Sequence, residues 1–126
     1  MDRDSRWLAT SARILFWAAL LFAFVMATLP QPPLVVATSD KVQHMLAFAA
    51  LTLLMGLGWP RLALWRILVT MALIGALIEV VQTIPELHRD ADVADWWADM
   101  GAVAAILLPL ALVRAGRRRR DPAPAE

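Results

Sequence analysis

Apolar residues fill four stretches of this chain, and polar residues gather between them. The runs are about Ser11–Leu29, Val42–Trp59, Leu62–Ile84 and Trp96–Val113. Each approaches or exceeds the roughly 17–25 residues that carry an α-helix across a bilayer. The pattern predicts helices at about 11–29, 42–59, 62–84 and 93–113. Residues 1–116 then form one transmembrane domain, and 117–126 a basic, then disordered, cytoplasmic tail. The expected fold class is all-α: a polytopic membrane protein, a bundle of about four helices.

Proline and glycine mark the ends of these elements. Pro30, Pro32 and Pro33 stop the first helix and make an extended loop, because proline lacks the N–H and restrains the residue before it. Ser39-Asp40 begins the second helix, and Asp40 with Gln43 has capping-box spacing, with aspartate as the cap. Gly56, Gly58 and Pro60 end that helix, and the very short turn to Leu62 predicts an antiparallel hairpin. Pro85 ends the third helix. Pro109 is expected to kink the fourth, since membrane helices tolerate proline. Two faces are rich in small residues, which let membrane helices approach closely. One carries Ala72, Gly75 and Ala76 beside Glu79, Gln82 and Thr83. The other carries Ala94, Ala98, Gly101, Ala102 and Ala105.

Composition supports the membrane class. Hydrophobic residues make up 60% of the 126 positions, more than a soluble domain of this size requires. There is no cysteine, which excludes disulfides and thiolate chemistry. Charge distribution then sets an orientation. Ten of the 12 Lys and Arg residues fall at one end: Arg3, Arg6, Arg13, Arg61, Arg66, Arg114 and Arg117 to Arg120. The other end holds Lys41 and Arg89, with Asp40, Glu79, Glu86, Asp90, Asp92, Asp95 and Asp99. Basic residues beside membrane segments stay on the cytoplasmic side. Both termini are therefore expected in the cytoplasm, in a multi-pass protein of the cytoplasmic (inner) membrane. A cleaved signal peptide is the competing reading of the first run, which is long for a signal core of roughly 7–15 residues. Trp7, Trp96 and Trp97 suit interfacial belts, and the arginine tail suits a topology lock that also touches anionic lipid.

Glu79 and Asp99 lie inside apolar runs, where an ionisable side chain is costly and marks a candidate functional site. At 1.5 Å per residue, His44 sits ~6 Å below the start of its helix, Glu79 ~8 Å below the end of its own, and Asp99 ~10 Å below Asp92. These depths suggest one polar pocket opening outward, with Asp40, Lys41, Gln82, Arg89, Asp92 and Asp95 above it. His44 and Glu79 are the candidates for proton transfer. Arg89 is the candidate clamp for phosphate or carboxylate. The plainer readings are a helix cap at Asp40, helix-holding pairs at Glu79 and Arg89, a neutral bonded imidazole at His44, and a solvated acidic face. His44, Glu79, Asp92, Asp95 and Asp99 are chemically able to hold a metal through nitrogen and oxygen. No paired-histidine or cysteine motif supports one, so neither metal nor cofactor is expected.

The ordered residues Asp40-Lys41-x-x-His44-x-x-x-Phe48, Glu79-x-x-Gln82, Arg89 with Asp92 and Asp95, and then Asp99 and Gly101 resemble the VanZ-like family of small membrane proteins. The resemblance spans about residues 38–105. This chain has Asp99 where that family often has asparagine, and its glycine spacing after that position differs by one. The resemblance implies a cell-envelope role related to resistance to the glycopeptide teicoplanin, without specifying a reaction.

Three function classes follow. The first is a binding protein whose pocket holds a membrane lipid, a lipid-linked envelope precursor or an amphiphilic compound. The second is a membrane enzyme acting on a lipid-linked substrate. The third is a small transporter or assembly partner. Nucleophile elbows and glycine-rich phosphate loops are absent from the sequence, and nothing beyond the arginine tail suggests nucleic acid. Binding is therefore placed first.

Overall fold

The computed structural model describes residues 3–30, 39–89 and 91–120. Four helices account for most of them: α1 Arg3–Thr28, α2 Asp40–Gly58, α3 Leu64–Gln82 and α4 Val93–Arg120. All four are long and apolar enough to cross a membrane. The chain is an all-α, four-helix membrane protein. The loop containing Pro32 and Pro33, Asp90, and the tail expected to be disordered from 121 onward lie outside the described residues.

The two inner helices have 19 residues each, about 28 Å at 1.5 Å per residue, which matches a bilayer core of roughly 30 Å. The two outer ones are longer than their apolar runs. α1 begins at Arg3, eight residues before the predicted start at 11, so the polar lead is helical. α4 continues without a break through Pro109 and on to Arg120, so the arginines at 117–120 extend the helix rather than forming a tail. An apolar pattern reports only the part of a helix that lies in lipid, while backbone hydrogen bonding continues beyond it.

Caps also differ from the sequence expectation. Ser39, not Asp40, is the N-cap of α2, and its hydroxyl accepts from the Val42 N–H at 3.4 Å. Asp40 is the first helical residue, which frees its carboxylate for a partner elsewhere. At the far end of α2, two arginines take up carbonyls of its last turn and of the turn that follows. Arg13 Nε donates to Gly58 O at 2.7 Å. Arg114 donates to Leu62 O at 2.5 Å and to Gly56 O at 3.2 Å. These residues read as topology signals in the sequence, and in the fold they also join α1 and α4 to the end of α2.

α2 lies between α1 and α4 and packs on both, α3 packs mainly on α4, and the α2–α3 hairpin partners touch only lightly. The core runs through Phe16, Phe48, Leu51, Ile67, Met71, Ile78, Met100 and Val103. The inward stripe of α3 is Ile67, Met71, Gly75, Ile78 and Gln82. Ala76 and Thr83, expected to face inward, are exposed. On α4 the small residues divide in the same way. Ala102 is buried, whereas Ala94, Gly101 and Ala105 are exposed. Large side chains and Asp99 occupy much of its inner face instead. Trp96 inserts there and donates its indole N–H to Ala72 O at 3.1 Å. Trp97 stays exposed, as an interfacial aromatic does.

Candidate functional site

At the acidic end of the bundle, three contacts link α2, α3 and α4. Arg89 Nη2 donates to Asp40 Oδ2 at 2.7 Å, joining the segment after α3 to the first residue of α2. Lys41 Nζ stands 2.8 Å from Asp95 Oδ1, joining α2 to the first turn of α4. Glu79 Oε2 accepts the Asp92 N–H at 3.0 Å, joining α3 to the start of α4. Asp92 in turn accepts the Ala94 N–H at 2.8 Å, the geometry of a helix cap. Asp40, Glu79, Asp92 and Asp95 thus meet donors or cations within the fold. The loop reaches this position through a 3-10 turn, Pro85–Leu87, ended by His88 in the left-handed region at φ 50°. Histidine is among the side chains that adopt that conformation more readily.

The remaining candidates point elsewhere. Gln82 is 3% exposed, and its amide donates to Ala27 O at 3.0 Å. It secures α3 to the end of α1. Asp99 is 2% exposed and makes no hydrogen bond to a described residue. Its charged neighbours are Asp95, one turn before it, and Glu79 on α3. A buried carboxyl beside two others, with no donor, is the least satisfied polar group at this end. His44 is half-buried and makes no hydrogen bond to a described residue. It lines a groove of about 310 Å³ between α1 and α2. Phe22, Ala23, Met26, Ala47 and Leu51 make the walls, and Asp40, Gln43 and His44 stand together at one end.

The structure therefore separates the candidates into two neighbouring groups. Asp40, Lys41, Arg89, Glu79, Asp92 and Asp95 form a bonded rim, with Asp99 buried beside it. His44 turns toward the groove, which α1 helps to build. Among the described residues, no three His, Asp or Glu side chains converge as a metal site requires. The sequence reading left α1 out of the site, and Ala23 and Met26 carry no polar signal that could have brought it in. No protein-family model matches the chain, and neither characterised proteins nor solved structures provide a match.

Proposed function

We propose that this chain binds an amphiphile at its acidic end, as an envelope protein of the VanZ-like type in the cytoplasmic membrane. The observation that carries this reading is the α1–α2 groove: apolar walls with a polar end at Asp40, Gln43 and His44. An acyl or aryl tail suits the walls, and a polar head suits the end where the imidazole has no hydrogen bond to a described residue. The bonded rim holds that end in shape, as a recognition site requires of its supporting residues. The arginine bias supports cytoplasmic termini, and in that orientation the groove's polar end faces outward, toward envelope lipids, lipid-linked precursors and teicoplanin-like compounds. The absence of a hydrogen bond between His44 and Glu79 favours binding over proton transfer by that pair.

The test is occupancy of the groove. Ala47→Trp places a large side chain against its wall, and His44→Ala removes the imidazole from its polar end. Wild-type protein purified in mild detergent should carry a defined amphiphile, identified by mass spectrometry of the extract. Ala47→Trp should lose it, and His44→Ala should retain less. The wild type should also raise the teicoplanin tolerance of a susceptible host, and Ala47→Trp should abolish that effect at normal membrane levels. Equal lipid content in wild type and Ala47→Trp would defeat the proposal.

A further inference from the structure

A second cavity lies at the opposite, basic end of the bundle. It measures about 890 Å³ and is bounded by the start of α1, the α2–α3 turn and the last turns of α4. Leu8, Leu57, Trp65 and Leu110 give it apolar walls. Arg61 and Arg117 stand exposed on its lining, and none of the described residues lining it is acidic. Among the described residues, neither has an ion-pair or hydrogen-bond partner. Arg114 lines it too, but its guanidinium already bonds Gly56 O and Leu62 O and so holds the cavity's shape. This end contrasts with the acidic one, where cations and anions pair.

We propose that this cavity binds one anionic phospholipid of the adjoining leaflet, with its phosphate between Arg61 and Arg117 and its acyl chains along the apolar walls. Charge complementarity carries the assignment. Guanidiniums are the cations best matched to phosphate oxygens, and basic pockets between membrane helices are suited to anionic headgroups. Apolar walls suit a lipid rather than a free anion. The continuation of α4 past its apolar run is what brings Arg117 to the cavity. This inference is independent of the groove at the acidic end.

Native mass spectrometry of the full chain, delipidated in neutral detergent, tests it. The protein is titrated with phosphatidylglycerol or with phosphatidylcholine of the same acyl chains. One phosphatidylglycerol should be retained in preference to phosphatidylcholine. The double variant Arg61→Gln with Arg117→Gln should weaken that retention roughly 10–30-fold, as expected for two cations near a membrane surface. Arg119→Gln, a described arginine outside the cavity lining, should leave it unchanged. Equal retention of both lipids, or an unaltered double variant, would overturn the proposal. An equal loss in Arg119→Gln would overturn it in favour of diffuse attraction. Displacement of the lipid by millimolar inorganic phosphate would also overturn it, leaving a soluble-anion site. Should the double variant fail to fold, Arg117→Glu, a single change at an exposed position, is read with the same outcomes.

Discussion

Gly75 and Gly101 are both helical glycines on the packed pair α3 and α4, and their surroundings differ. A Cβ on Gly75 would lie 2.9 Å from Trp96 Cδ1 and 3.2 Å from its Nε1. That indole is held by its bond to Ala72 O, so it has little room to yield. Gly75→Ala should therefore destabilise by about 1–3 kcal/mol, the usual cost of overpacking. A methyl group on Gly101 would meet nothing within 4 Å, and Gly101→Ala should stabilise by roughly 0.5–1 kcal/mol through lower backbone entropy in the unfolded chain. Unfolding in mixed detergent micelles measures both, and equal effects would contradict the packing described. Asp99→Asn belongs at this scale too. It removes a buried carboxyl that makes no hydrogen bond to a described residue, so the unfolding midpoint should rise. A marked fall would show that Asp99 has a stabilising partner beyond the described residues.

Among the elements, α2 is the one on which the others are assembled. Its first two residues pair with Arg89 and Asp95, and its last carbonyls take Arg13 and Arg114. The Lys41–Asp95 pair is partly exposed, and such pairs contribute roughly 0.2–1 kcal/mol. A double-mutant cycle of Lys41→Ala with Asp95→Ala should return a coupling energy in that range, and the charge-swapped pair should recover most of it. Glu79→Gln keeps an oxygen for the Asp92 N–H. It should leave the fold and the amount of membrane protein near wild type. Loss of the protein from the membrane would show that the carboxylate charge itself holds α3 to α4. Signals at the ends of α2 were partly legible. Ser39-Asp40 marked its start, but the partner of Asp40, Arg89, lies 49 positions away in the chain.

For the whole molecule, orientation is the property to test first. The chain has no cysteine, so single cysteines at Ala91 and Gly116 report the two ends without background. An impermeant thiol reagent should label Ala91→Cys in intact cells and Gly116→Cys only after lysis. Labelling of Gly116→Cys in intact cells would reverse the orientation and with it the side on which the groove's polar end opens.

Four helices and the segregation of charge to opposite ends could be read from the sequence, because each depends on residues close together in the chain. A run of apolar side chains forms a membrane helix in almost any context, since hydrocarbon leaves the backbone no other partner for its polar groups. Which face of each helix turns inward was a different matter. Small residues on α4 suggested a stripe through Ala94, Ala98, Gly101, Ala102 and Ala105, and of these the fold buries Ala102, with Asp99, Met100 and Val103 beside it. Small size permits close approach but does not impose it, and on the inner face of α4 Trp96 packs against Gly75 and bonds Ala72 O. The candidate residues divide along the same line. Glu79 and Asp99 were conspicuous because charge is costly in lipid, whereas the groove at His44 depends on alanines of α1 that carry no such mark. Only the packing of α1 against α2, set by contacts far apart in the chain, brings them together.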